Sequence, residues 1–152
     1  MPTSHEIRLH EIRNPKEIPP WTDHERIAGF FHETMRPWHD ALPDVSRGLD
    51  HALTTTDDRS GFVLLAAQAE ELAGGLAMLD TGMGGFVPKY LLLFVAVRPD
   101  LRGKGIGQTL VKQALSMCDG AVKLHVEYDN PAKRLYERLG FTTKYAEMRY
   151  QP

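Results

Sequence analysis

Apolar residues recur along this chain with two different periods, and the switches between them mark its elements. Residues 5 to 13 alternate apolar and polar positions, as a half-buried strand does, until Pro15, Pro19 and Pro20 interrupt the pattern. From Thr22 the period lengthens. Thr22 and Glu25 stand at capping-box spacing, Ile27, Phe30, Phe31 and Met35 then share a helical face, and Pro37 ends the run. Asp44 is the expected cap of a second helix, with Val45, Leu49, Ala52 and Leu53 on one side. Asp57 to Gly61 reads as a turn. Phe62–Gln68 and Leu72–Leu79 read as a hairpin closed through Ala69, Glu70 and Glu71.

Asp80 to Gly85 is a glycine-rich loop, and Tyr90–Val97 is apolar at every position, the signature of a central strand buried on both faces. A helix is expected over about 105–118, a strand over 121–127, a helix over 131–139 and a last strand near 143–150. The order is strand, two helices, three strands, helix, strand, helix, strand. It predicts a mixed α/β fold in a single domain spanning residues 1–152, with no repeat and no linker.

Between the apolar strand and the helix that follows it lies Arg102-Gly103-Lys104-Gly105-Ile106-Gly107. Glycines at such a turn let backbone approach a ligand closely, and the unpaired N–H groups of the helix start point into the turn, a geometry that binds phosphate. Two familiar phosphate loops fail on spacing. A Rossmann fingerprint lacks its third glycine here. A P-loop would need a Ser or Thr after Gly103-Lys104, where Gly105 stands, and an earlier glycine where Arg98 stands.

A second block follows the strand at 121–127. Asp129-Asn130-Pro131 reads as a capped helix start, Ala132, Leu135, Tyr136 and Leu139 share a face, and Gly140 closes the helix before Phe141. Taken alone, either block has a plain reading, a tight turn or a half-buried tyrosine on a core helix. Together, in this order, they resemble the GNAT-type (acyl-CoA-dependent) N-acetyltransferase superfamily. Val95 to Gly107, with Pro99 three residues before Arg102, is similar to that family's Arg/Gln-x-x-Gly-x-Gly/Ala loop. Asn130 to Phe141 is similar to its closing motif. The resemblance is firm over roughly residues 62–150 and weak before that.

The resemblance implies a GNAT fold: a central mixed sheet of six to seven strands, strands four and five parallel and splayed apart, flanked by about four helices. It implies acetyl-CoA as co-substrate, with the pantetheine arm in the splay against the backbone of Val95, Ala96 and Val97. The pyrophosphate would lie on backbone N–H groups of Gly103, Gly105, Ile106 and Gly107. Arg102 and Lys104 would add positive charge there, or be solvated. Tyr136 would face the CoA sulfur as general acid, and Asn130 would contact the pantetheine. The chain departs from the family at one point: Asn130 stands one residue closer to the tyrosine than the common spacing, so Asp129 is an alternative for that role.

The general base is open. Many relatives carry a glutamate on strand four, and Tyr90–Val97 holds no acid. His125, alternating with Leu124 and Val126 near the splay, is the first candidate, since an imidazole titrates near neutrality. Glu127 and Asp80 are the fallbacks, and a surface role for His125 with water carrying the proton is the alternative. The acceptor, a primary amine on a small molecule or peptide, would be shaped by Phe31 to Val45, including Arg36, Trp38, His39 and Asp40, and by Asp80 to Pro88. A non-catalytic acyl-CoA-binding sensor or subunit stays open beside the enzyme.

Bulk properties narrow the partners. Apolar residues make up 42% and charged residues 25%, ordinary for a globular domain. A net charge of −2 and a pI near 6.4 argue against an electrostatic nucleic-acid binder, which normally shows a basic stripe. The longest apolar run, Tyr90–Val97, is too short to span a bilayer, and the first residues lack a signal-peptide core. The single cysteine, Cys118, suits a reducing cytoplasm and falls on the apolar face of its helix, so a structural thiol is expected. Seven histidines include no His-Glu-x-x-His, and no metal is expected. A homodimer is the candidate assembly.

Overall fold

The computed structural model describes residues 6–56 and 59–152. Five strands form one sheet in the order β1-β2-β3-β4-β5: β1 (Ile7–Ile12), β2 (Phe62–Gln68), β3 (Glu71–Asp80), β4 (Tyr90–Val97) and β5 (Val122–Leu124). Neighbouring strands are antiparallel up to β4, and β5 runs parallel to β4. The sheet is therefore smaller than the six to seven strands expected. The strand expected near 143–150 has joined no ladder, and the one expected over 121–127 is reduced to three residues.

Four α-helices cover the faces. On one side lie α1 (His24–Thr34) and α2 (Leu42–Ala52). Ile27, Phe31, Val45 and Leu49 pack there with Val63, Leu65, Ala77 and Phe94. On the other lie α3 (Ile106–Ser116) and α4 (Ala132–Arg138). There Leu110, Val111, Ala114 and Tyr136 pack with Phe62, Leu64, Leu76 and Leu92. The strict alternation of β2 explains this division: Phe62, Leu64 and Ala66 face one helix layer, Val63 and Leu65 the other.

The helix starts differ from their expected caps. The side chain of Asp23, not Thr22, accepts from the Arg26 N–H at 2.9 Å, so α1 begins one residue later than a Thr22–Glu25 box would place it. At α2 the cap position is Ala41, which has no side-chain bond. Pro43 sits in the first turn, and Asp44 lies beside it, where a negative charge still complements the helix N-terminus. The turn expected at Asp57–Gly61 lies partly outside the described residues. The β2–β3 hairpin forms as expected, closed by Ala69 and Glu70, both with positive φ, at 50° and 61°.

β4 departs from simple alternation at one point. Ala77 pairs with Phe94 and Met78 with Leu92, so Leu93 is an extra residue, a β-bulge. Its effect is visible in the packing. Tyr90 and Leu92 belong to the α3/α4 side, Leu93 and Phe94 both to the α1/α2 side, and Val95 returns to the first. A sequence apolar at every position tolerates this parity flip, because either face finds an apolar environment.

Candidate active site

The bulge coincides with a fork in the sheet. β4 pairs with β5 only at Tyr90–Val122, Leu91–Lys123 and Leu92–Leu124. From Leu93 to Val97 the same edge of β4 has no strand beside it among the described residues, and apart from the Val97 carbonyl, which accepts from Arg102, its backbone groups meet no ladder partner there. The open edge contains Val95, Ala96 and Val97. At its far end the chain makes a 3-10 turn over Pro99–Leu101 and enters the glycine loop.

Gly103 and Gly105 have φ of 79° and 85°, which L-residues with a side chain adopt at a cost; Gly105 is the cap of α3. Gly107 lies in the first turn of α3 and has no positive φ. A Cβ there would meet Leu135 Cδ2 at 3.5 Å and Val97 Cγ2 at 3.6 Å, ordinary van der Waals contact, so larger side chains would press on α4 and the end of β4. The first backbone bond of α3 runs from the Thr109 N–H to the Gly105 carbonyl at 3.0 Å. Ahead of it, the N–H groups of Gly103, Lys104, Gly105, Ile106, Gly107 and Gln108 meet no backbone acceptor among the described residues. A run of free donors at a helix N-terminus beside an open strand edge fits a diphosphate followed by an extended, amide-bearing arm.

Arg102 sits differently from a phosphate ligand. Its Nε donates to the Val97 carbonyl at 3.1 Å and its Nη2 to the Thr34 carbonyl at 2.7 Å. The guanidinium thus ties the end of β4 to the last turn of α1. This role is not legible from the sequence, since Thr34 is 68 residues away. Lys104 stays exposed, and with Asp100, Leu101 and Ile106 it borders a recess of about 550 Å³ beside the loop that reaches Ile7 and Gln68.

Tyr136, 9% exposed, sits on α4 in the core layer that also takes Val95 and Val97. Its position is locked by the helix end. Gly140 has φ of 100°, the Phe141 N–H donates to the Tyr136 carbonyl at 3.0 Å, and the Phe141 ring meets the Tyr136 ring edge-on at 5.8 Å. This is a Schellman closure with its apolar contact. Burial, and then the charge of Glu127, push the Tyr136 hydroxyl up to about 12. It therefore remains a protonated donor at neutral pH. Asn130 caps the start of α4, its Oδ1 accepting from the Ala132 N–H at 2.9 Å, while Asp129 is exposed.

The base candidates separate. His125 is exposed and is the first residue past the last β4–β5 pair, at the vertex of the fork. Glu127 is exposed and lies on the Tyr136 side. Asp80 is buried at the opposite end of β4, paired across from Tyr90. Its carboxylate accepts from the Ser60 and Gly82 N–H groups, each at 2.9 Å. It holds two turns together, far from the glycine loop. Cys118 is half-buried, and burial pushes its thiol up to about 11, so it is not a thiolate nucleophile. On the acceptor side, Phe31 stacks on Phe94 with centroids 5.4 Å apart, and Trp38 is half-buried in the α1–α2 connection.

An open strand edge, a donor-rich glycine loop and a buried tyrosine thus lie on one side of the sheet, around the same core layer. The chain belongs to the acetyltransferase (GNAT) family, whose pattern matches residues 8–141. It is 28% identical over 116 residues to an acetyltransferase of Pectobacterium atrosepticum, covering 73% of this chain and 74% of the relative. It is 35% identical over 100 residues to a mycothiol acetyltransferase of Actinosynnema mirum, covering 61% of this chain and 32% of the relative; the chain spans about a third of the length of that protein. Among solved structures, a GNAT-family acetyltransferase of Streptococcus pneumoniae shares the fold at a TM-score of 0.71, with 17% identity, covering 97% of this chain and 98% of the other. An aminoglycoside N-acetyltransferase solved with CoA aligns at 0.67, with 15% identity, covering 97% of this chain and 95% of the other. Among the described residues, no helix is long and apolar enough to cross a membrane.

Proposed function

We propose that this chain, acting as a single domain, is an N-acetyltransferase that moves the acetyl group of acetyl-CoA to a primary amine of a small molecule or peptide by direct attack. The observation that carries this reading is the fork: β4 loses its neighbour at the bulged Leu93, and the free edge leads straight to the donors at Gly103–Gly107. Pyrophosphate lies on those N–H groups, and the pantetheine amides pair with Val95, Ala96 and Val97. Arg102 braces the loop rather than binding phosphate, and Lys104 supplies the exposed positive charge.

The neutral amine attacks the thioester carbonyl carbon. The tetrahedral intermediate collapses as the C–S bond breaks, and the leaving sulfur takes the electron pair. Tyr136 donates its hydrogen bond to that sulfur as charge develops. With the hydroxyl held near 12, its value lies in being reliably protonated at working pH. His125 at the fork vertex accepts the ammonium proton directly or through a water, with Glu127 next in reach. The acceptor enters from the α1–α2 connection, between Arg36 and Asp40. The reducing cytoplasm suits the single, neutral Cys118.

The test is release of free CoA thiol from acetyl-CoA with a panel of polyamines, aminoglycosides, aminothiol sugars, amino acids and peptides. Turnover with one amine class, matched by a mass gain of one acetyl group on that amine, is the expected result. Tight CoA binding with no thiol release across the panel would favour a non-catalytic acyl-CoA sensor instead.

A further inference from the structure

Two glycines in the α1/α2 layer have no conformational reason to be glycine. Gly48 lies inside α2 and Gly75 inside β3, and neither has a positive φ. Glycine weakens the interior of a helix or a strand, so what it offers at these positions is the absence of a Cβ. A Cβ on Gly48 would lie 3.0 Å from Phe94 Cζ, 3.1 Å from Phe94 Cε2 and 3.5 Å from Leu93 Cδ1. A Cβ on Gly75 would lie 2.9 Å from Phe31 Cζ and 3.3 Å from Phe31 Cε1. Each glycine gives its place to the edge of a ring.

The two rings touch. Phe31 is fully buried, Phe94 is 5% exposed, and their centroids are 5.4 Å apart. Gly48, Phe94, Phe31 and Gly75 thus form a continuous stack from α2 to the backbone of β3. Phe31 has no room to retreat toward β3, whose backbone lies directly behind it. The other end of the stack is the bulge. Leu93 and Phe94 are the residues at which β4 slips its register, and from there one edge of the strand has no strand beside it among the described residues. Both side chains turn to the α1/α2 layer, and α2 meets both at Gly48. With a ladder partner on one edge only, packing on this face supplies the constraint that a second neighbouring strand would have given.

We propose that Gly48 is a positioning residue for the co-substrate: through Phe94, backed by Phe31 and Gly75, it sets the path of β4 at the bulge and so the alignment of the Val95–Val97 edge with the pantetheine amides. The inference rests on the reading of that edge given above. It adds a control point on α2, on the opposite face of the sheet from α3 and α4. A methyl at position 48 presses on the Phe94 ring, and a ring with Phe31 behind it passes the displacement to its own backbone. Leucine at position 94 lacks Cζ and Cε2, the atoms nearest Gly48, and leaves the bulge unsupported. The two changes are opposite in volume, so together they compensate.

Calorimetric titration of the full chain tests it with two probes: CoA, and adenosine 3′-phosphate 5′-diphosphate, which carries the diphosphate and lacks the pantetheine arm. Wild type should bind CoA more tightly than the nucleotide. Gly48→Ala and Phe94→Leu should each weaken CoA by about tenfold, the equivalent of about two misaligned backbone hydrogen bonds, and leave the nucleotide constant unchanged. The double variant should return to within about threefold of wild type for CoA. Phe94→Leu carries the test alone if Gly48→Ala does not fold. Folded single variants that bind CoA as wild type does, equal losses for both probes, or additive losses in the double variant would each overturn the proposal. A wild-type chain that binds the nucleotide as tightly as CoA, or binds neither, would instead overturn the pantetheine reading, and the proposal with it.

Discussion

The two halves of β4 are one continuous apolar sequence with opposite uses. At Tyr90–Leu92 the strand is paired on both sides, and its entry is pinned. The Tyr90 hydroxyl donates to Asp119 Oδ1 at 2.7 Å, Lys89 Nζ reaches the same oxygen at 2.8 Å, and Asp80 across the ladder clamps two turns. Past the bulge at Leu93 one edge has no strand beside it among the described residues, and the exit is a glycine loop whose N–H groups meet no backbone acceptor among them. The first half is satisfied internally; the second leaves its hydrogen-bonding capacity for a ligand. A binding strand needs both, because an open edge is held in shape only if the rest of the strand is over-determined.

Changes in the two halves should therefore separate, with binding and catalysis lost on one side and stability on the other. The largest effect is expected at Gly107→Val. A Cβ there already touches Leu135 and Val97, so valine's two further methyls press on α4 and the end of β4 beside the glycine loop. At a hundredfold excess over the dissociation constant CoA adds about 2.7 kcal/mol to parent stability. A thermal-shift measurement should find that increment gone, with ATP and NAD giving none in either protein. A folded variant that keeps the CoA shift would separate the loop from the site.

Tyr136→Phe should lower kcat by roughly tenfold to a thousandfold while leaving the CoA dissociation constant nearly unchanged, because the hydroxyl acts on charge that develops only as the thiolate leaves. The same residue predicts a pH effect. Its folded value is raised to about 12 from 10. Its contribution to stability is thus fully present below pH 10 and is lost as the pH climbs toward 12. Alkaline unfolding of the Phe variant should lack that slope, and its tyrosinate absorbance should lose the latest-titrating step.

His125→Gln and His125→Ala are expected to reduce kcat/KM by about tenfold to a hundredfold with little change in melting temperature, since the side chain is exposed. Parent-like rates in both would pass the proton to Glu127 or to water.

In the pinned half, Asp80→Ala leaves the Ser60 and Gly82 N–H groups without their acceptor. It should cost about 2 kcal/mol in urea-measured stability, with CoA affinity preserved. A loss of CoA affinity equal to that at Gly107 would erase the distinction between the halves. The smallest effect is a gain. Ala69-Glu70 holds two positive-φ positions with residues that disfavour them, so Asn-Gly there should add about 0.5–1 kcal/mol without touching kinetics.

The sequence by itself determined what local chemistry decides. Hairpin, helix faces, the Gly103–Gly107 turn and the Gly140–Phe141 closure behind Tyr136 all follow from residue type within a few positions. The motif resemblance added the family and the parallel pairing of β4 with β5. Capping failed by one residue at Asp23, where two adjacent residues are both good caps and only the path of the chain chooses between them. Tertiary structure alone decided the rest. The bulge at Leu93 is invisible in a run apolar at every position, because both registers bury equally well. The partners of Arg102 lie at the end of β4 and in α1, and the clamp at Asp80 joins turns distant in sequence. The ladder of β5 stops at Leu124 although the pattern runs on and β4 continues to Val97, because the two strands part where β4 bulges at Leu93. Long-range hydrogen bonding has no period for a sequence to display.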